Sequence, residues 1–280
     1  MKLAMAGKGG AGKTSITGTL ARMIARRNRR VLAIDNDLNP NLSLTLGIPA
    51  ERISDLPTFP AEVVRRTDEG GYELTMSLAE LCEICSVSAP DGVSLLVAAE
   101  PREAATGCMG SAHMAVCGVI EAAPAGEKDV CIVDLEASTE HLLVATAKHA
   151  DAMYAVVEPY GTSLETGRRV AFLARDMGLP RVGLIANKVR EEDDLAAVAA
   201  YGERHGIELV GAVPYDECFH EAERAMRAPL EHDPDAPAVR AIGDLADRLI
   251  AEGARVAAER SGGQLASTPP ARPRVADAAS

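Results

Sequence analysis

Eight residues near the start, Gly7-Lys8-Gly9-Gly10-Ala11-Gly12-Lys13-Thr14, constrain this chain more than any other stretch. An apolar run at 3–6 precedes them, and an amphipathic segment carrying Ile16, Leu20, Met23 and Ile24 follows. The order is strand, glycine-rich loop, helix, and the eight residues fit G-x-x-x-x-G-K-S/T in full. Glycines let the backbone wrap closely with its N–H groups turned inward, and a helix N-terminus behind them adds partial positive charge. This is a cradle for phosphate: residues 7–15, Ser15 included, are expected to contact a nucleotide. Lys13 reaches its β- and γ-phosphates, and the Thr14 hydroxyl ligates Mg2+. A glycine-rich turn with a chance lysine would not bring the matching strand and helix with it.

The rest of the chain repeats that unit. Apolar runs fall at 3–6, 31–34, 93–99, 130–133, 153–157, 182–186 and 209–213. They do not alternate with polar residues, as expected of strands buried on both faces of a parallel sheet. Helical patterns at 15–28, 111–122, 139–148, 163–177 and 193–205 lie between them, and a last one covers 236–260. The expectation is an α/β fold with a doubly wound, mostly parallel sheet of about seven strands. Residues 1–260 read as one domain. Residues 49–92, punctuated by Pro49, Pro57, Pro60, Gly70-Gly71, Pro90 and Gly92, read as an insertion, and 261–280 as a disordered tail.

In such a sheet the strand ends share one edge, where ligands bind. The residues there are Asp35-Asn36-Asp37, Asp134, Glu158-Pro159, Asn187-Lys188 and Pro214-Tyr215-Asp216. Asp134 follows a buried strand and suits a water-mediated hold on Mg2+, or simply a helix cap. Asn187 offers a donor and an acceptor that match an adenine edge, or ends its strand in a turn.

Among the 280 residues the net charge is −12, which weighs against a nucleic-acid or anionic membrane surface. No apolar run has the length of a membrane span, and no leader precedes the loop, so a cytoplasmic location is expected. The six cysteines then read as thiols, not disulfides. Cys82-Glu83-Ile84-Cys85 is a lone C-x-x-C and a weak metal signal; Cys131 reads as core.

Lys8 is surplus to a phosphate loop. With it, Gly-Lys-Gly-Gly-x-Gly-Lys-Thr resembles the deviant phosphate loop of the MinD/ParA/Fe-protein ATPases. That resemblance implies ATP hydrolysis in a homodimer around nucleotide, with Lys8 reaching the partner's nucleotide. It also implies that Asp37, opening Asp37-Leu38-Asn39-Pro40-Asn41-Leu42, orients the attacking water. Asn187 with Pro214 and Tyr215 would hold the base, and Asp35 would give magnesium-side support or structure.

Three segments resemble one branch, the CooC-type carbon monoxide dehydrogenase maturation ATPases. They are Asp134-Leu135-Glu136-Ala137-Ser138-Thr139-Glu140-His141, the stretch from Val156-Val157-Glu158-Pro159 to Glu165-Thr166-Gly167-Arg168-Arg169, and Asp35-Asn36-Asp37 through Leu46-Gly47-Ile48. The branch implies a client metalloenzyme and Ni2+ or Zn2+ at the dimer interface, held by a Cys-x-Cys pair. Here that pair reads Cys108-Met109-Gly110, with its second cysteine lost; His113 and Cys117, four apart, either complete the set or pack. Ser138 replaces the glycine of the second switch. Three other functions stand beside this one. An Fe-protein-like iron–sulfur reductase needs a second cluster cysteine soon after Asp134, where Glu140-His141-Leu142-Leu143 stands. A ParA/MinD-like positioning ATPase needs a basic surface or terminal helix. A nucleotide-gated binding partner with little turnover would tolerate Ser138.

Overall fold

A computed structural model describes residues 1–37, 39–60, 62–67, 72–98, 110–137 and 146–265. Strands β1 (Lys2–Gly7), β2 (Arg30–Asn36), β3 (Val64–Arg66), β4 (Tyr72–Leu74), β5 (Val87–Ser88), β6 (Ser94–Val97), β7 (Asp129–Leu135), β8 (Ala152–Val157), β9 (Val182–Val189) and β10 (Glu208–Pro214) form two sheets. The large sheet has eight strands in the order β10-β9-β8-β1-β7-β2-β6-β5. Every pairing in it is parallel except β5 with β6.

All seven apolar runs become strands of this sheet. The eighth is β5, a two-residue edge strand in the 49–92 stretch, too short to leave a hydrophobic run. The same stretch holds a 3-10 turn at Ala50–Asp55 and the β3–β4 hairpin. It also holds helix α3 (Leu78–Cys85), whose Ser77 and Glu80 form a reciprocal capping box. Leu74 of the hairpin packs at Gly118 of α4 (Gly110–Ala122).

Side chains on the central strands alternate between two cores, as a two-sided sheet demands. Leu3 and Met5 face a layer containing Ile16, Leu20 and Ile24 of α1 (Lys13–Ala25) and Ile242, Leu245 and Leu249 of the last helix. Ala4 and Ala6 face the other layer. There α4, α5 (Gly161–Asp176) and α6 (Glu192–Arg204) contribute Val116, Val170 and Val198. The one-turn helix α2 (Leu42–Thr45) follows β2, and α7 (Cys218–Arg224) and α8 (Pro229–His232) follow β10.

The last helix, α9, runs Pro237–Leu265 and so enters the expected tail. Extending an existing helix through Ser261-Gly262-Gly263 avoids a new nucleation, which is the costly step. The helix expected at 139–148 falls mostly outside the described residues, and Thr146 to His149 form a turn. No helix among the described residues is long and apolar enough to cross a membrane.

Candidate nucleotide site

The 7–14 loop leaves β1 and enters α1. Gly12 caps α1 in the left-handed region at φ 89°, and Gly10 lies at φ 80° with open space where a side chain would stand. A Cβ on Gly12 would collide with the Asn187 amide. Both positions therefore need glycine, one for backbone conformation and the other for a neighbour as well. Within the loop the Ala11 N–H donates to the Lys8 carbonyl at 3.1 Å.

β2 and β7 are neighbours in register, so Asp35 and Asp134 stand side by side. Both are fully buried. Burial, then the adjacent Asp134 carboxylate, pushes Asp35 up from the usual carboxylate range. Burial raises Asp134 too, against the opposing pull of the Thr14 hydroxyl, Lys13 and Thr17. Thr14 Oγ1 donates to Asp134 Oδ2 at 2.5 Å, and Thr17 Oγ1 lies 3.2 Å from Oδ1. A hydroxyl and a carboxylate in contact, with buried Lys13 nearby, form a donor set suited to a hard divalent cation such as Mg2+.

Asp35 is a clamp on the segment that follows it. Its Oδ1 accepts from Asp37 N at 3.2 Å and its Oδ2 from Leu42 N at 2.8 Å. Asp37 is half-buried, and its Oδ1 accepts from Asn39 N at 3.0 Å. One oxygen of Asp37 thus closes a local turn while its backbone N–H is held by Asp35; Asp37 itself does not line the cavity that opens over the loop.

A cavity of 490 Å³ opens over the loop. Its walls include Lys13, Thr14 and Ser15 from the loop, Asn187 and Lys188 from β9, and Pro214 and Tyr215 from β10. Gly7, at φ 141°, starts the loop against the Val156 carbonyl, and Gly9 faces Ala137 at the root of the 136–141 segment. The size and the mixed lining suit a nucleotide. Asn187 sits here in a role beyond the expected one. Its Nδ2 donates to the Ala11 carbonyl at 2.7 Å, so one amide N–H belongs to the loop, leaving Oδ1 and the second N–H for a base. The Tyr215 ring carries the Arg190 guanidinium 3.5 Å from its centroid, and its hydroxyl donates to Glu217 at 2.7 Å.

Lys8 lies within its own protomer, its Nζ 3.2 Å from Thr162 Oγ1 and 5.3 Å from the Tyr160 ring centroid. Thr17 and Arg190 escaped the sequence reading, which placed Lys188 at the strand-end edge and Thr162 in a branch-like segment without giving either a role. Thr17 alone had a visible signal: it lies one turn along α1 from Thr14, on the same face.

Several expected candidates lie elsewhere. Cys108, Ser138, Glu140 and His141 fall outside the described residues. His113 turns to Asn36, ring nitrogen to amide 3.2 Å apart, and Cys117 is buried with its thiol pushed up by burial. Burial likewise pushes the Cys85 thiol up to about 11 and Cys131 to about 12, and raises Cys82. Protonated thiols make poor ligands, and no cluster of metal-ligating side chains occurs among the described residues. The Glu165-Thr166-Gly167-Arg168 motif is not at the cavity. Glu165 accepts from two Arg168 nitrogens, Nε and Nη2, at 2.8 Å and from the Tyr201 hydroxyl at 3.1 Å, tying α5 to α6.

Both the sequence and the fold have known counterparts. The CobQ/CobB/MinD/ParA nucleotide binding domain matches residues 2–230. The carbon monoxide dehydrogenase accessory protein CooC of Rhodospirillum rubrum is 32% identical over 233 residues, 80% of this chain and 88% of that protein. The chloroplastic homologue of the septum site-determining protein MinD from Arabidopsis thaliana is 28% identical over 235 residues, 81% and 68% of the two chains. The structure of the MinD cell division protein of Aquifex aeolicus superposes with a TM-score of 0.67 at 23% identity, covering 89% of this chain and 96% of that one.

Proposed function

Because this chain belongs to the CobQ/CobB/MinD/ParA nucleotide-binding family, we propose that it is a dimeric switch whose ATP cycle assists metal insertion into a client enzyme such as carbon monoxide dehydrogenase. At the coarser level it is an ATPase of the MinD/ParA type that uses ATP and Mg2+. The observation that carries the finer reading is the 32% identity to a carbon monoxide dehydrogenase accessory protein across 80% of this chain.

In this reading the 7–15 backbone and Lys13 hold the phosphates. Thr14 and Asp134 hold Mg2+, which when bound neutralises phosphate charge and favours transfer to water. Asp37 orients that water. Asn187, Pro214 and Tyr215 border the base. Lys8 leaves Thr162 and Tyr160 to complete the partner's site, so that ATP closes the dimer and hydrolysis reopens it. Cys108 is the candidate ligand for Ni2+ or Zn2+ between protomers.

Native mass spectrometry tests this with and without a non-hydrolysable ATP analogue, on the wild-type chain and Cys108→Ser. The reading expects an analogue-dependent dimer that carries Ni2+ or Zn2+ only when Cys108 is present. A dimer free of metal in every condition would remove the metal-insertion role and leave the ATPase. The 28% identity to a septum site-determining protein homologue supports a second reading, a positioning ATPase. Its mark would be ATP-dependent binding to DNA or lipid vesicles, against which the net charge of −12 weighs.

A further inference from the structure

We propose that Lys188 is a positioning residue for nucleotide binding, acting by holding the Gly10 carbonyl of the phosphate loop. Lys188 Nζ donates to that carbonyl at 2.7 Å. The residue before it, Asn187, donates to the next carbonyl, Ala11, at 2.7 Å. Two consecutive side chains at the end of β9 thus grip two consecutive loop carbonyls. Each peptide is planar and trans, so fixing a carbonyl fixes the N–H on its opposite side. For the Gly10–Ala11 peptide that N–H closes the turn onto the Lys8 carbonyl at 3.1 Å. For the Ala11–Gly12 peptide it is the Gly12 N–H, directed away from β9.

The backbone of Lys188 is itself unusual. It lies at φ 57°, a left-handed conformation that is strained for a non-glycine residue. Strain of this kind persists where surrounding contacts over-determine it. The second contact is an ion pair with Glu158 at 2.9 Å, and the Tyr160 hydroxyl donates to the other Glu158 oxygen at 2.5 Å. Glu158 is nearly buried and Lys188 is partly so. With a carboxylate this close, the ammonium presents little net charge to the cavity. Its contribution is geometric, the fixed shape of the loop. The same chain of contacts ends beside Lys8, whose Nζ rests near the Tyr160 ring.

This inference rests on the reading that the 7–14 loop binds the nucleotide. Calorimetry of the full chain with Mg-ADP and with Mg-tripolyphosphate, which has no base, tests it on the wild type, Lys188→Met, Lys188→Arg, Glu158→Gln and Lys13→Ala. Lys188→Met is expected to weaken both ligands about tenfold, the scale of one charged hydrogen bond. Lys188→Arg restores most of the loss. Glu158→Gln weakens both by a smaller factor, because the lysine loses its anchor. If Lys188 acted by charge on phosphate, Glu158→Gln would bind more tightly, and that result overturns the proposal. So does a Lys188→Met variant that binds as the wild type does. If Lys188→Met does not fold, Glu158→Gln decides alone: weaker binding supports, unchanged or tighter binding overturns. Wild-type affinity in Lys13→Ala would instead remove the nucleotide from this loop, a failure of the underlying reading.

Discussion

Replacing Asn187 with alanine separates two roles that its position allows, bracing the loop and reading the base. The side chain is 8% exposed, and the Ala11 carbonyl it serves belongs to a fully buried residue. Alanine would leave that carbonyl without its 2.7 Å donor. An unsatisfied buried acceptor costs about 1–3 kcal/mol, which is about 5- to 150-fold if borne by the binding-competent loop. Because the brace acts on the loop, the loss should appear for Mg-ADP and for Mg-tripolyphosphate alike. Asn187→Asp should be worse than alanine, since it sets a carboxylate oxygen against a carbonyl oxygen. Isothermal titration calorimetry on the three proteins gives the comparison. Tripolyphosphate affinity unchanged in Asn187→Ala, with ADP affinity reduced, would refute the brace and leave Asn187 a base contact only.

Other substitutions test the remaining parts. Asp37→Asn should bind ATP, remain dimeric and turn over more slowly by about 100-fold or more in a phosphate-release assay, the lower bound for losing a positioned acid or base; wild-type turnover would leave Asp37 as the turn residue that its bond to Asn39 makes it. Leu81→Ala removes a fully buried side chain of α3 and should cost about 2–5 kcal/mol. If the 49–92 stretch shares the main core, calorimetry will show one transition at a lower temperature, and a separate low-temperature transition would contradict that. Glu165, held down to about 2 chiefly by the Arg168 hydrogen bonds, stabilises the fold above its unfolded pKa of about 4.3 and loses that contribution as pH falls toward its folded value. Melting temperatures of Glu165→Gln should therefore fall less than those of the wild type on acidification below about pH 4.3.

The sheet was legible because its seven main strands read as unbroken apolar runs, six of them largely buried and the edge strand β10 partly so. β5 was not, since two residues on an edge carry no period, and neither was the β3–β4 hairpin, whose strands have three residues each. At the site, Lys13, Thr14 and Asp134 were readable from spacing because the loop and the strand end dictate where they stand. The roles of Lys188 and Thr17 come instead from contacts between distant segments, Lys188 lying 178 positions from Gly10; for Thr17 only its spacing from Thr14 hinted at its place. Asp35 shows a limit of another kind. A carboxylate at a strand end suggests a metal, whereas both its oxygens are taken by the backbone of residues 37 and 42. Glu165, part of a branch-like motif, pairs with Arg168 within α5 and accepts from Tyr201 of α6, joining two helices.

The central claim is that Lys8 completes a nucleotide site on a second protomer. In the single chain its ammonium is held by Thr162 and lies near the Tyr160 ring, contacts of an exposed kind worth little individually, so leaving them is inexpensive. The direct measurement is light scattering with a non-hydrolysable ATP analogue and Mg2+, on the wild type and Lys8→Ala, with bound nucleotide quantified in each peak. The account predicts twice the protomer mass for the wild type and the protomer mass for Lys8→Ala, both carrying nucleotide. A wild-type protein that saturates with the analogue and stays monomeric, or a Lys8→Ala variant that dimerises equally well, would contradict it.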